Sequence, residues 1–120
     1  MSILVVDDSK AMRMIVMRTI RQAGFDEHEV TQAENGAEAL ATIQGGLAPD
    51  LVLSDWNMPE MTGIEFLRAL RDADVAIPFG FVTSESTPEM HELATAHGAK
   101  FLVSKPFTPE SLDAALSKAL

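Results

Sequence analysis

Five residues capable of joint chemistry stand at the ends of short apolar runs along this chain of 120 residues. They are Asp7, Asp8, Asp55, Thr83 and Lys105. Carboxylates brought together repel one another, and a divalent cation offsets that repulsion. Mg²⁺ takes oxygen ligands and usually binds one or two carboxylates together with a phosphate. If the fold gathers the ends of these runs, the residue types predict phosphate chemistry assisted by Mg²⁺.

Asp8 and Asp55 suit direct ligation of Mg²⁺, whereas Asp7 would bind through water. A backbone carbonyl near Asn57 would complete the protein's share of the ligands. Asp55 is also the candidate nucleophile, because a carboxylate beside Mg²⁺ can form an aspartyl-phosphate. It follows a strongly apolar run, which would hold it at the rim of a sheet.

Phosphoryl transfer spreads charge over the equatorial oxygens, and each oxygen needs a cation or a hydrogen-bond donor. Mg²⁺ would contact one oxygen and Lys105 a second, since its ammonium is a compact charge on a flexible stem. The hydroxyl of Thr83 and a backbone N–H, such as that of Trp56, would contact the third.

Each residue also has an ordinary structural explanation. Asp8 could cap a helix, Thr83 could be a strand hydroxyl and Lys105 a solvated cation. Independent caps and turns have no reason to gather opposite charges at one end of a sheet. The combination therefore favours a site.

Apolar runs alternate with segments of helical period along the whole chain. The predicted strands cover residues 3–6, 29–33, 51–55, 79–83 and 101–104. Apolar spacing predicts that the first helix buries Met12, Ile15, Val16, Thr19, Ile20 and Ala23 and ends at Gly24. Apolar residues at Ile64, Leu67 and Leu70 form the stripe of the third helix.

Capping residues mark the other helix ends. Capping boxes are predicted for Asn35 with Glu38 and for Thr62 with Glu65, and Gly45 and Gly46 end the second helix. Two segments, Thr87-Pro88-Glu89 and Thr108-Pro109-Glu110, begin the last two helices in the same way. Gly98 ends the fourth helix.

Five strand–helix pairs predict one domain over residues 1–120, an α/β fold with an open, doubly wound, five-stranded parallel sheet and helices on both faces. A closed barrel of this type needs eight such units. Ligands of open sheets bind outside the carboxyl ends of the strands, near the reversal of strand order. The five chemically active residues are predicted to meet there.

The composition narrows the possible functions. Eighteen Asp and Glu against nine Lys and Arg give a formal charge of −9, which repels nucleic acids and anionic membrane surfaces. The acidic excess suits divalent cations or a basic partner, although a solvated acidic surface explains it equally well. The lack of cysteine excludes thiolate catalysis. Without a basic segment before its short first apolar run, the chain is expected to be soluble and cytoplasmic.

The motifs resemble one family, the receiver domains of two-component response regulators, and within it the stand-alone chemotaxis regulators of the CheY type. The matching stretches are LVVDDS, LVLSDWNMPEMTGIEFL, FVTSE, GAK and SKPF, between residues 4 and 107. The resemblance implies a flavodoxin-like, CheY-like fold. It also implies a phospho-accepting signalling switch rather than an enzyme.

By this resemblance, Asp55 accepts a phosphoryl group from a histidine kinase or a histidine phosphotransfer domain. The implied Mg²⁺ ligands are Asp7, Asp8, Asp55 and the carbonyl of Asn57. Thr83 and Lys105 are implied as phosphoryl contacts and switch residues.

Two finer features follow from the resemblance. Asn57 and Glu85 are similar to the pair that governs attack by water in chemotaxis-type regulators, so a short-lived phosphoryl group is expected. The peptide between Lys105 and Pro106 matches a position that is typically cis in the family.

The chain departs from the family at the strand position three residues before Lys105, which is often aromatic and is Leu102 here. The neighbouring Phe101 should point to the opposite face, because strand side chains alternate. A rotating aromatic switch is therefore not expected, and the loop between Thr83 and Thr87 is the predicted moving part.

The resulting hypothesis is a monomeric phosphorylation switch, most simply a stand-alone chemotaxis regulator. The resemblance implies a partner face that comprises the fourth helix, the fifth strand and the fifth helix, and a flagellar motor switch protein as the target. A phosphorelay carrier and a stress-signalling adaptor remain open alternatives.

Other classes fit less well. An aspartate-nucleophile phosphatase needs a second acid near its nucleophile, and the residue two positions after Asp55 is Asn57. A flavin module would have acidic loops facing the FMN phosphate, and a receiver-like protein that is never phosphorylated would not need the full set of site residues.

Basic and methionine side chains around the first helix raise a separate possibility. A docking surface for the kinase could include Lys10, Arg13, Met14, Met17, Arg18, Arg21 and Phe107. A solvated helix face explains the same pattern and is the preferred interpretation. The three histidines, His28, His91 and His97, form no convincing metal-binding pattern.

Overall fold

The computed structural model describes residues 2–22, 29–84, 87–105 and 107–119. Within these residues strands alternate with helices along the chain. The strands are β1 (Ser2–Val6), β2 (Glu29–Ala33), β3 (Leu51–Ser54), β4 (Phe79–Thr83) and β5 (Phe101–Ser104). The helices are α1 (Lys10–Gln22), α2 (Gly36–Gln44), α3 (Gly63–Asp72), α4 (Pro88–Ala96) and α5 (Pro109–Ala119).

The strands form one parallel sheet in the order β2-β1-β3-β4-β5. The chain runs from β1 to β2 on one side and then crosses to β3 on the other side of β1. Strand order therefore reverses between β1 and β3, and their carboxyl ends are adjacent. This arrangement confirms the predicted doubly wound, flavodoxin-like fold.

Apolar side chains alternate between the two faces of the sheet, as burial on both faces requires. On one face, α2, α3 and α4 cover a core that contains Leu4, Val52, Phe66, Phe79 and Phe81. On the other face, α1 and α5 cover a core that contains Ile3, Val5, Leu53, Val82 and Leu112. The central strands β1, β3 and β4 contribute many residues to both cores, so packing on both faces holds them in place.

Helix α1 differs in part from its predicted pattern. Val16, Thr19 and Ile20 are buried as expected, but Ile15 is 45% exposed and Arg13 is only 7% exposed. The buried positions are three and four residues apart, so Arg13 lies in the inward row and Ile15 beside it. The prediction that Ile15 faces the core was wrong, and the predicted end of this helix at Gly24 lies outside the described residues.

The predicted helix caps are largely confirmed. Thr62 and Glu65 form a reciprocal capping box, and the hydroxyl of Thr87 accepts a hydrogen bond from the N–H of Met90. Asn35 caps α2, its side chain accepting from the N–H of Glu38, but only this half of the predicted capping box is recorded there. These caps satisfy backbone N–H groups that a helix start leaves without an internal partner.

The last strand places two adjacent residues on opposite faces, as predicted. Phe101 packs against the core under α1 and α5, whereas Leu102 packs against the core under α2, α3 and α4. Pro106 and Glu85 lie outside the described residues, so the expectations about a cis peptide and about the Asn57–Glu85 pair stay predictions. Among the described residues, no helix is long and apolar enough to span a membrane.

Candidate functional site

The carboxylates of Asp7, Asp8 and Asp55 each place an oxygen within 4.8 Å of the other two. They follow β1 and β3, whose carboxyl ends lie side by side because Val6 pairs with Ser54. The N–H of Asp55 extends this pairing by donating to the carbonyl of Val6 at 2.9 Å. The reversal of strand order thus creates the acidic cluster that the sequence predicted.

Asp7 is the buried member of the cluster, with 3% of its surface exposed. Its Oδ2 accepts a hydrogen bond from Nζ of Lys105 at 3.0 Å, and its Oδ1 accepts one from the N–H of Ser9 at 2.9 Å. Its own N–H donates to the carbonyl of Ala33 on β2. Both carboxylate oxygens are therefore engaged, while neighbouring Asp8 is exposed.

Asp55 lies partly open to solvent at the end of β3. Its Oδ1 accepts a hydrogen bond from the N–H of Trp56 at 2.7 Å, and its Oδ2 lies 3.5 Å from Nζ of Lys105. Burial raises the pKa of Asp55 above the usual aspartate value; Lys105 opposes this rise, Asp7 adds to it, and the N–H of Trp56 opposes it. The carboxylate is thus positioned by contacts but incompletely neutralised.

The backbone after Asp55 is held by Gly63 at the start of α3. The N–H of Gly63 donates to the carbonyl of Trp56 at 2.8 Å. A Cβ atom at Gly63 would overlap the carbonyl oxygen of Asp55, and it would lie 2.9 Å from Cε1 of Phe81. A residue with a side chain at this position would therefore displace the loop that carries Asp55.

Lys105 bridges two of the three carboxylates. Its backbone N–H donates to the carbonyl of Thr83 at 2.8 Å, which places it beside the end of β4. Its Nζ lies between Asp7 and Asp55, and 13% of its side chain is exposed. One ammonium facing two carboxylates leaves net negative charge at the site.

The remaining predicted residues lie at the same edge of the sheet but differ in exposure. Thr83 is fully buried at the end of β4, and Asn57 is exposed two residues after Asp55. The ring of Trp56 packs against Phe81, with ring centroids 4.7 Å apart. The structure brings together the acidic residues and Lys105, and the backbone hydrogen bond from Lys105 to the carbonyl of Thr83 places the end of β4 beside them.

The donor set fits a hard divalent cation. Every cluster ligand is a carboxylate oxygen, which is the ligand type of Mg²⁺ and Ca²⁺ rather than of thiolate-binding metals. Asp8 is exposed, and Asp55 is partly exposed beside Lys105 and the backbone N–H of Trp56. Both oxygens of Asp7 accept hydrogen bonds, from Lys105 and Ser9. The cluster thus offers an exposed carboxylate, that of Asp8, and a partly exposed one, that of Asp55, beside the buried carboxylate of Asp7.

Arg13 belongs to the surroundings of this cluster, which the sequence interpretation missed. Its guanidinium donates to the carbonyl of Asp7 at 2.7 Å and to Oε1 of Gln32 at 3.0 Å. The two interpretations weighed for Arg13, a docking surface and the preferred solvated helix face, both require it to be exposed, and its burial contradicts both. Its spacing to Val16 and Ile20, which puts it on the buried side of α1, was the available signal.

The comparisons with known proteins agree with this geometry. The sequence profile of the family described as response regulator receiver domain matches residues 3–117. Chemotaxis protein CheY1 of Helicobacter pylori is 34% identical over 122 residues, covering 100% of this chain and 97% of that protein. A chemotaxis protein CheY homolog of Campylobacter jejuni is 35% identical, covering 100% of this chain and 92% of that protein.

Solved structures show the same relationship. The Vibrio cholerae chemotaxis response regulator CheY4 is 40% identical, with a TM-score of 0.85 and coverage of 99% of this chain and 98% of that chain. A DNA-binding response regulator of the LuxR family from Staphylococcus aureus is 27% identical, with a TM-score of 0.86 and coverage of 98% and 97%. The likeness therefore extends over almost the whole chain.

Proposed function

We propose that this chain, which belongs to the response regulator receiver domain family, accepts a phosphoryl group on Asp55 and changes its binding to a partner protein. Receiver domains are signalling modules that act with histidine kinases. The observation that carries the assignment of Asp55 is the placement of its carboxylate beside Lys105 within the acidic cluster.

The proposed chemistry is a displacement at phosphorus. A carboxylate oxygen of Asp55 forms a bond to phosphorus while the bond to the donor's histidine nitrogen breaks, and that nitrogen keeps the electron pair. Lys105, with Nζ 3.5 Å from Oδ2 of Asp55, offsets charge on the phosphoryl oxygens. Asp8, Asp55 and the carbonyl of Asn57 would hold Mg²⁺, which would supply further positive charge next to those oxygens.

Asp7 has a different role in this proposal. Both of its oxygens accept hydrogen bonds from the protein, which supports contact with the cation through water rather than direct ligation. Its contact with Lys105 also holds the ammonium near Asp55. Asp7 therefore positions the ammonium of Lys105, while Asp8 and Asp55, which are more exposed, would contact the metal directly.

Loss of the phosphoryl group completes the cycle. A water molecule attacks phosphorus, the bond between phosphorus and Asp55 breaks, inorganic phosphate leaves and the carboxylate is restored. Asn57 and Glu85 are proposed to govern the approach of that water. Replacing either should change the decay rate of phosphorylated chain, and unchanged decay in both variants would contradict this role.

The switch is proposed to involve Thr83. In the present conformation this residue has no exposed surface, so contact between its hydroxyl and a phosphoryl group on Asp55 requires the end of β4 to adjust. Such a shift would alter the loop that leads to α4 and the face formed by α4, β5 and α5. Phe101 is not the moving part in this proposal, because it packs on the other face.

A chemotaxis regulator that binds a flagellar motor switch protein is the favoured specific role. The similarity to chemotaxis proteins of Helicobacter, Campylobacter and Vibrio along nearly the full chain supports it. A phosphorelay carrier or a stress-signalling adaptor would use the same site. Binding of phosphorylated and unphosphorylated chain to the motor switch protein of the source organism separates these roles.

Intact mass measurement tests the central proposal. Wild-type chain incubated with a small phosphodonor and Mg²⁺ should gain one phosphoryl group, and Asp55→Asn should gain none. Addition to both proteins, or to neither, would contradict the assignment of Asp55. An assay with a small phosphate ester under the same conditions tests the alternative of an aspartate-nucleophile phosphatase. Sustained hydrolysis of that ester would favour the phosphatase.

A further inference from the structure

The guanidinium of Arg13 is a buried charge behind the acidic cluster. Arg13 is 7% exposed, and within the described part of the chain it forms no ion pair with a carboxylate. Its partners are two neutral oxygens, the carbonyl of Asp7 at 2.7 Å and Oε1 of Gln32 at 3.0 Å. Burying a charge is costly, so the position of these two donors needs an explanation.

The carbonyl of Asp7 belongs to the peptide bond that joins Asp7 to Asp8. Because a peptide unit is planar, a donor that fixes this carbonyl also fixes the N–H of Asp8 and the direction in which the chain enters Asp8. A charge-assisted hydrogen bond of this length is stronger than one between neutral groups. Arg13 therefore holds the link between the buried and the exposed carboxylate of the cluster.

The preceding peptide, which joins Val6 to Asp7, is held as well. The N–H of Asp7 donates to the carbonyl of Ala33, and Gln32, which orients the guanidinium, precedes Ala33 on β2. Residues of strand β2 and helix α1 thus hold the backbone of Asp7 through hydrogen bonds on both sides of its α-carbon. Gln32 is itself exposed, so its contact with Arg13 is not explained by core packing.

We infer that Arg13 is a positioning residue that preorganises the Asp7–Asp8 peptide for divalent cation binding, with Gln32 orienting its guanidinium. The inference rests on the proposed function, since it takes the acidic cluster as the cation site. Groups that orient metal ligands commonly change metal affinity by roughly 10- to 100-fold when they are replaced. Arg13 fits this description because it contacts the carbonyl of the peptide that leads from Asp7 into the ligand Asp8, and none of the carboxylates.

The direction in which Mg²⁺ affinity changes when Arg13 is replaced distinguishes a positioning role from a purely electrostatic one. Arg13 carries positive charge close to the cluster, so as a charge alone it would repel Mg²⁺, and its removal would tighten binding. As a positioning residue it assists binding, and its removal would weaken it. The two interpretations therefore predict opposite shifts in Mg²⁺ affinity.

The test is a Mg²⁺ titration monitored by the fluorescence of Trp56. It is the single tryptophan, and its backbone N–H donates to Asp55. Arg13→Met should weaken Mg²⁺ binding roughly 10-fold, and Arg13→Lys, which keeps the charge but not the two-donor fork, should recover only part of the loss. Arg18→Met is the matched control, because Arg18 is an exposed residue of the same helix, and its affinity should stay near wild type.

Phosphorylation by a small phosphodonor gives a second measurement. In Arg13→Met the Mg²⁺ concentration for half-maximal rate should rise, while the rate at saturating Mg²⁺ stays within about 2-fold of wild type, a split that a general loss of folding would not produce. If Arg13→Met does not fold, Gln32→Leu on the exposed strand surface provides the same measurement and should weaken binding by a smaller factor.

The outcomes distinguish the inference from the function on which it rests. If neither the fluorescence nor the phosphorylation of the wild-type chain depends on Mg²⁺, the proposed function and the positioning role of Arg13 are both contradicted. A normal wild-type response with unchanged or tighter binding in Arg13→Met, or in Gln32→Leu where the first variant is unfolded, would overturn the positioning role alone.

Discussion

The ring of Phe101 lies over the α-carbon of Gly80, its partner on the neighbouring strand β4. A Cβ atom at Gly80 would overlap three carbons of that ring. The ring is thereby held against the core under α1 and α5, while Leu102 takes the face toward α4. Movement of Phe101 toward α4 would require it to leave this core, so the aromatic residue of β5 is structural.

Replacing Gly80 with alanine should destabilise the protein by pushing the Phe101 ring out of place. Extra carbon atoms in a packed core typically cost about 1–3 kcal/mol in free energy of unfolding, which urea denaturation can measure. The double variant Gly80→Ala/Phe101→Ala should lose less stability than the sum of the single variants. Strictly additive losses would contradict the contact, and phosphoryl acceptance by the folded Gly80→Ala chain should be unchanged.

The strands and helices of this fold can be predicted from the sequence because the local preferences of apolar runs and capping residues agree with the packing of the folded chain. Apolar runs at β1, β3 and β4 are buried on both faces, and the Thr62–Glu65 capping box is a local interaction that needs no tertiary information. The convergence of Asp7 and Asp55 follows from the parallel order of the strands. These features are fixed by period, capping and topology.

The features that escaped prediction depend on side chains from distant elements. The spacing of Arg13 to Val16 and Ile20 places it on the inward side of α1, but it does not show which groups accept hydrogen bonds from its guanidinium. These are the carbonyl of Asp7 and the side chain of Gln32 on β2. The engagement of both oxygens of Asp7 likewise requires the position of Lys105, which is 98 residues away in sequence. Such pairings become visible only when the chain is folded.

Replacing Lys105 with methionine should separate its effects on metal binding and on phosphoryl transfer. Its ammonium lies 3.0 Å from Asp7 and 3.5 Å from Asp55, so it competes with a bound cation, and its loss should tighten Mg²⁺ binding. Loss of a group that offsets transition-state charge should slow phosphorylation of Asp55 by roughly 100-fold. Trp56 fluorescence and intact mass measure the two effects, and Lys100→Met, an exposed neighbour on the approach to β5, is the control. Rates equal to wild type would remove Lys105 from the proposed site.

Replacing Asp55 with asparagine should stabilise the apo protein at neutral pH. Burial raises the pKa of Asp55 in the folded chain, so between the unfolded and folded pKa values the folded chain binds more protons. The unfavourable contribution of the charged form therefore grows as pH rises through that window and is complete above it. The stability advantage of Asp55→Asn should be largest at pH 7 and should shrink on acidification through the folded pKa. Urea unfolding at several pH values with EDTA measures it, and an advantage that widens toward acid pH would contradict the direction of the shift.

Replacing Gly63 with alanine should disturb the phosphoacceptor more than it disturbs the fold. The new Cβ would overlap the carbonyl oxygen of Asp55, so the loop carrying the nucleophile must move, and a displacement on the order of 1 Å can cost about 100-fold in rate. Gly36→Ala is the matched control, because its Cβ would be crowded to 3.0 Å by Met61 and Phe66 but would not touch Asp55. Both variants should lose stability in urea, while phosphorylation per folded molecule, followed by intact mass at saturating Mg²⁺, should fall strongly only in Gly63→Ala. Equal rates in the two variants would show that the contact between Gly63 and Asp55 does not position the nucleophile.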